Sequence, residues 1–237
     1  MLEHFVRQDL KMRSLNAMAV MHPLKVVITN FPADRTEMLV LPNHEGDESL
    51  GTRKVPFTRE LVIEREDFME DPIAGFHRLS PGQEVRLKGA YFIRCEEVVK
   101  DPLTGKITEL HCTYDPLTRS GSGFNARKVK STIHWVSMSC GIHAELHLYD
   151  RLLKETAVLA ESGNDWKELL NPASLIWVEK AFLEPSMSNA SFHQTYQFIR
   201  HGYFCLDNKH AHSGHLVFNR VVPLKDSWKR QNSDMFK

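Results

Sequence analysis

The sequence carries no surplus of charge. Its 237 residues hold thirty basic and thirty acidic side chains, for a formal net charge of zero. Such a chain does not coat a polyanion or a membrane with its whole surface, so any site for nucleic acid must be local. Cysteine is scarce as well. The four cysteines, Cys95, Cys112, Cys140 and Cys205, contain no Cys-x-x-Cys pair, which excludes a disulfide scaffold and predicts reduced, mostly buried thiols. Long apolar runs are missing too. The longest near the start, Ala17 to Met21, is far too short for a bilayer, and Glu3, Arg7 and Asp9 spoil a signal peptide. The cytosol is the expected compartment. No fixed-period repeat and no low-complexity tract stands out, and the length suits one large domain or two small ones.

The common catalytic signatures are also absent. There is no Gly-x-Ser-x-Gly elbow, phosphate loop or Gly-x-Gly-x-x-Gly fingerprint, and Ser120-Gly-Ser-Gly123 lacks the following lysine and helix. The carboxylate pairs Glu96-Glu97 and Glu66-Asp67 are neighbours that point to opposite faces of a strand and cannot share a catalytic proton. His210, His212 and His215, with Cys205 upstream, invite a zinc site, but their spacing is poor and residues 207–214 read as a turn-rich loop. No catalytic residue and no metal ligand is assigned.

What the chain does have is alternation. Leu2, Phe5, Val6 and Leu10 first mark a short amphipathic helix that fades before Pro23. Extended stretches then follow over 24–30, 37–41, 60–65, 84–88, 91–99 and 106–114, rich in Val, Ile, Phe and Tyr and divided by turn chemistry such as Pro81-Gly82. A polar stretch from Asp115 to Lys130 interrupts them. Beyond it strands are expected over 131–137, 144–150, 174–181, 196–200, 203–206 and 215–222, with one helix near Asp165 to Leu170. About twelve short strands, roughly six on each side of the loop, make a mainly β chain of two small antiparallel barrels.

Two stretches combine this pattern with cations. In Arg86-Leu-Lys-Gly-Ala-Tyr91 and in Lys128 to Ser137, basic or polar residues fall on one side of an extended chain and apolar ones on the other. Lys128, Lys130, Thr132 and His134 share a face, opposite Val129, Ile133 and Trp135. Such a surface suits RNA with splayed bases, because cations hold phosphates while planar forks read base edges. Arg78, Arg86, Lys88, Gln197 and Arg200 lie at strand ends near turns and are the candidate base readers. The tryptophans, Trp135, Trp166, Trp177 and Trp228, could stack on bases, but core packing is their expected role.

An ordered set of strings carries a family resemblance: Ala17 to Val20, Pro23 to Ile28, Leu41-Pro-Asn-His44, Val55-Pro-Phe57, Arg86 to Tyr91, Cys112-Thr-Tyr114, Arg127-Lys-Val-Lys130, Ile133 to Ser137, Leu148 to Leu152, Asn171-Pro172, Gln197-Phe198, Gly202 to Asp207 and Phe218-Asn-Arg220. From about Leu2 to Trp228 the chain resembles the C-terminal anticodon-binding region of glutaminyl-tRNA synthetases. The resemblance implies two six-stranded β-barrels, proximal and distal to a catalytic body, that hold the anticodon loop of glutamine tRNA. It divides the chain into a helical connector (1–20), a first barrel region (21–126) and a second (127–237), with a strand crossover allowed. The class I strings of the His-Ile-Gly-His and Met-Ser-Lys types occur nowhere in these residues. The parent would join glutamine to its tRNA with ATP and magnesium bound in its catalytic domain, while this piece holds no cofactor and is inactive alone. Its partners would be the tRNA and that catalytic domain, with no membrane and a monomeric state.

Residue by residue, the resemblance places Arg86 at the first anticodon base with Lys88 beside it. Arg78 and His77 face the third base, and Gln197 with Arg200 the central uracil. His77 stands where the family commonly has lysine. Ser14-Leu15-Asn16 stands where Ala-Pro-Arg is usual, so Asn16 brings no charge to the central base. Either Arg13 compensates or Gln197 and Arg200 act alone. Lys128 and Lys130 are assigned to phosphates. Two other readings remain at this point: a free-standing RNA-binding barrel protein, and a zinc hydrolase on the histidine loop.

Overall fold

The computed structural model describes residues 2–154, 166–212 and 214–224. The chain opens with helix α1 (Leu2–Arg13). Eleven strands follow: β1 (Leu15–Ala17), β2 (Ala19–Val20), β3 (Pro23–Ile28), β4 (Glu37–Pro42), β5 (Thr52–Phe57), β6 (Glu60–Glu64), β7 (Glu84–Leu87), β8 (Phe92–Lys100), β9 (Ile107–Asp115), β10 (Thr132–Ile133) and β11 (Val136–Ser137). The remainder carries β12 (Ile142–Tyr149), β13 (Leu175–Leu183), β14 (Thr195–Phe198), β15 (Gly202–Leu206) and β16 (Leu216–Pro223). In place of the helix expected near Asp165, residues Trp166–Leu169 make a single 3₁₀ turn, and Asp165 itself lies outside the described residues. Among the described residues no helix is long and apolar enough to cross a membrane.

Two compact units result, one of residues 15–143 with 181–190, the other of 1–14, 144–180 and 191–237. Residues 127–143 thus sit with the first barrel, which differs from a division at 126/127, and 181–190 return to it through the end of β13. That end pairs with β2, Phe182 opposite Val20. Glu184 fastens the return. Its buried carboxylate pairs with Arg53 and accepts bonds from the Met18 amide at 2.9 Å and the Ser186 hydroxyl at 2.6 Å.

The sheet of the first unit is nearly closed. It holds seven strands, not six, in the order β10-β7-β8-β9-β3-β6-β11. Its two outermost strands are consecutive in the chain. β10 pairs parallel with β7, Thr132 opposite Arg86, and β11 pairs antiparallel with β6, Val136 opposite Val62. A strap of six residues therefore joins both edges and leaves little open ladder. The expectation of purely antiparallel barrels fails here, since β3 also runs parallel to β9 with Val26 opposite Leu110. Alternation reports that a strand has two faces but not the direction of its neighbour.

The strap also corrects the face assigned to His134. Thr132 is exposed and Ile133 buried, as alternation requires, but His134, Trp135 and Val136 are all buried where the chain crosses from edge to edge. His134 lies 3.6 Å from the buried Glu64 carboxylate, which accepts the Met21 and His22 amides. Inside, the Phe57 ring centre lies 5.1 Å from Phe31, 5.3 Å from Tyr91 and 5.3 Å from Trp135. Hairpin β4–β5 was not foreseen in its second half, because Pro56 and the polar residues 52–54 obscure a strand. Proline is tolerated there because the pair forms a sheet of only two strands.

The sheet of the second unit forms a half-barrel, with β14-β15-β16-β12-β13 as consecutive neighbours and β12 parallel to β16. Phe198 stacks on Phe204 at 4.5 Å and meets Phe218 edge-on at 5.2 Å. Of the apolar residues that predicted α1, Leu10 and Val6 pack against Tyr203 and Val222, whereas Leu2 and Phe5 face solvent. The cysteines are free, with Cys95 and Cys112 buried and Cys140 and Cys205 half-buried.

Replacing Trp135 by alanine removes the ring that closes the barrel and should cost about 3–5 kcal/mol, read as a lower urea midpoint. A second prediction concerns pH. On the outside of the barrel His111 bonds Glu97 at 2.9 Å and Glu109 at 2.7 Å, and Glu109 also meets Lys25 at 2.9 Å. The hydrogen bonds from Glu97, then Glu109, raise the His111 pKa above 6.5. A raised histidine stabilises the fold fully below its unfolded value, and the gain is lost as pH climbs through the folded one. The urea midpoint should therefore fall from pH 6 to 9 more in the parent chain than in His111→Asn.

Candidate nucleic-acid interface

In the first unit, the end of β7 carries Arg86 and the turn into β8 carries Lys88, two residues apart. Gly89 makes that turn possible. Its φ is +68°, and a Cβ there would stand 2.6 Å from Leu41. The strap and the residue that leads into it position both cations through main-chain bonds: the Arg86 amide donates to Ser131 O at 3.0 Å and the Lys88 amide to Ile133 O at 2.8 Å. The Trp135 indole N–H in turn donates to Lys88 O at 3.0 Å.

The side chains are preset as well. The Arg86 guanidinium lies 4.2 Å from the Phe92 ring centre, and its Nη1 donates to Thr118 O at 3.1 Å and Ser120 Oγ at 2.9 Å. Burial lowers its pKa, yet a guanidinium keeps its proton under any ordinary condition. Both bonds leave from Nη1, so they do not occupy the Nη2 edge of the fork. Lys88 pairs with Glu45, whose carboxyl its ammonium holds below the usual range. Arg127 was not singled out as a base reader, because nothing in the alternation separates it from Lys128. Its guanidinium lies 5.3 Å from the same Phe92 ring while pairing with Glu84 at 3.0 Å and Asp115 at 2.8 Å.

Lys128 and Lys130 are exposed and lie outside the strands, just before Thr132, the register partner of Arg86. They are brought to the Arg86 edge without being held on it. Arg78 and His77 stand on a separate loop between β6 and β7, fastened by a bridge between Phe68 and Leu79. Arg78 reaches the buried Asp67 carboxylate at 3.1 Å, while His77 is exposed. Asn16 is buried and donates its amide to Asn43 O at 2.6 Å.

In the second unit, Gln197 and Arg200 flank the tip of hairpin β14–β15, where Phe198 opposes Gly202 and the His201 amide donates to Phe198 O at 2.9 Å. Arg200 has φ +72°, the only positive value for a non-glycine among the described residues. A bulky side chain in a left-handed position costs of order 1 kcal/mol, and here it closes the three-residue tip of a tight hairpin. Arg13 is exposed and bonds Asp9 one turn back at 2.6 Å. The histidine loop is tied down by carboxylates. His210 meets Asp207 at 3.1 Å and His215 meets Glu145 at 3.6 Å. Burial would raise the Asp207 carboxyl, but bonds from Asn219, the His210 and Lys209 amides and the His210 ring hold it well below the usual range.

Comparison with known proteins decides the family. Residues 16–115 and residues 132–207 each match a family described as "tRNA synthetases class I (E and Q), anti-codon binding domain". The chain belongs to this family. Over 229 residues it is 52% identical to a glutamine–tRNA ligase of Clostridium perfringens, covering 97% of this chain and 41% of that protein. Glutamine–tRNA ligases of Clostridium kluyveri and Pseudomonas putida are each 47% identical over 229 residues, covering 97% and 96% of this chain and 41% and 40% of those proteins. The chain thus spans about two fifths of the length of these relatives.

Arg200→Gly tests whether the strained tip serves binding. Glycine accepts φ +72° without cost, so the urea midpoint should stay level or rise while affinity for tRNA falls. A drop in stability would show that Arg200 is instead a structural residue.

Proposed function

We propose that this chain reads the anticodon of glutamine tRNA, with Arg86 and Lys88 at the first base, Arg78 and His77 at the third, and Gln197 and Arg200 at the central uracil. The two units act as the proximal and distal barrels of a glutamine–tRNA ligase, with residues 1–20 as connector. The observation that carries the reading is the Arg86 turn, where main-chain bonds, a phenylalanine face and two hydrogen bonds from one guanidinium nitrogen orient a fork for a base edge. Guanine offers two acceptors to such a fork, which suits Arg78, and uracil offers a donor and acceptors to an amide, which suits Gln197. Lys128 and Lys130 supply salt-sensitive phosphate contacts.

In this reading ATP and magnesium belong to a catalytic domain in the remaining three fifths of the parent, which works in the cytosol as a monomer. Asn16 supplies no charge, and Arg13 is engaged by Asp9, so Gln197 and Arg200 carry the central base.

Titration of the chain into an anticodon stem-loop of glutamine tRNA at fixed salt tests this. Each wrong anticodon base should cost about 1–3 kcal/mol. Arg86→Ala should erase discrimination at the first base and Arg78→Ala at the third. Equal binding to every stem-loop would reduce the chain to a general RNA binder. Because Glu45 competes for Lys88, Glu45→Gln should tighten binding several-fold at low salt and less at high salt.

A further inference from the structure

Trp177 departs from the core role expected of the tryptophans, being 61% exposed on β13. It is not alone on that surface. The His147 ring, buried on β12, lies against it in a parallel stack, 5.1 Å between centres and 25° between planes. Tyr149, two residues along the same face and 47% exposed, meets His147 edge-on at 6.2 Å. His147 cannot swing away easily, since Nε2 contacts Glu145 at 2.5 Å and Nδ1 contacts Asn219 Oδ1 at 3.2 Å. Asn219 is anchored in turn, donating to Asp207 at 2.7 Å.

We infer that Trp177 is a stacking site for an unpaired nucleobase, a second RNA contact on the second unit apart from Gln197 and Arg200. The stack explains why so large an apolar ring is held out in water. One face of the indole is backed by an immobilised imidazole, so a flat partner can add to the pile with little ordering cost. Stacking on aromatic rings borne by a sheet is sequence-tolerant, because every base has a π-face. Of the nearby acids, Glu179, two residues from Trp177 on β13, and Asp150 beside Tyr149 are exposed, so the contact offered here is to the face of a base rather than to phosphate. Two others are engaged. Glu145 faces His147 and His215, and Asp207 faces Asn219 and His210. Trp177, Tyr149 and Leu175 make a small patch of mostly flat side chains, which suits a stacked base better than a protein partner that would need a broad apolar surface.

The inference rests on the RNA reading above, and the test separates the two. Affinities for whole glutamine tRNA are measured for the parent chain, Trp177→Ala and Trp177→Phe, each with the natural anticodon and with one base changed. Trp177→Ala should weaken binding roughly five- to hundredfold, the span of one stacked base, and Trp177→Phe should restore most of it. The ratio between natural and altered anticodons should not move, because this contact does not read sequence. Unchanged affinity in Trp177→Ala would overturn the inference, and so would equal losses in both variants with a lowered urea midpoint. If the parent chain bound no tRNA, the anticodon reading would fail by itself. Trp177 would then be judged with an unstructured oligouridine: fluorescence quenching that vanishes in Trp177→Ala supports the site, and no quenching removes it.

Discussion

Closure of the first barrel by residues 132–137 is the constraint on which the rest depends. A sheet with open edges would expose unpaired donors and acceptors, and it would leave the β7–β8 turn free to move. The strap removes both problems at once. It gives its β10 half to β7 and its β11 half to β6, and it lowers Trp135 into the aromatic core between them. Ile133 of the strap and Ser131 just before it hold the Lys88 and Arg86 amides, so the position of the cations follows from the closure of the fold.

Burial and charge are arranged to the same end. Arg86 loses water but gains the face of Phe92, a carbonyl and a hydroxyl, which fixes the direction of its fork. Arg78 is pinned by a buried carboxylate, and Arg200 by a backbone conformation that arginine seldom adopts. Preorganisation of this kind reduces the ordering cost paid on binding and leaves more of each contact for discrimination. Lys128 and Lys130 are treated differently. Exposed and outside the strands, they suit a phosphate backbone that demands charge but little geometry.

Much of this was legible in the sequence, and the failures have physical reasons. Strands over 24–30, 60–65, 91–99 and 106–114 correspond to β3, β6, β8 and β9, because β-branched and aromatic residues bounded by turn chemistry mark them even where, as in β6, four successive residues are buried. The pairing was not legible. Parallel contacts such as β3 with β9 and β10 with β7 leave no local trace, and the strap reads as one strand although it serves two edges. His134 was misplaced for the same reason, since alternation stops where the chain passes from edge to edge. The candidate cations were found by residue type and by resemblance. Their partners were not: Glu45 is remote from Lys88 in sequence, while Phe92 and Asp67 lie close by in the chain but meet Arg86 and Arg78 only through the hairpin register and the loop that the fold sets.

The central claim is that turns fixed by the fold present Arg86, Arg78, Gln197 and Arg200 to three successive bases. A crystal structure of this chain bound to the anticodon stem-loop of glutamine tRNA tests it most directly. The account predicts the Arg86 and Arg78 forks at hydrogen-bond distance, about 3 Å, from the edges of the first and third bases, Gln197 at the central uracil, and the 132–137 strap unmoved. An anticodon seated elsewhere, or a strap displaced to admit it, would contradict the account.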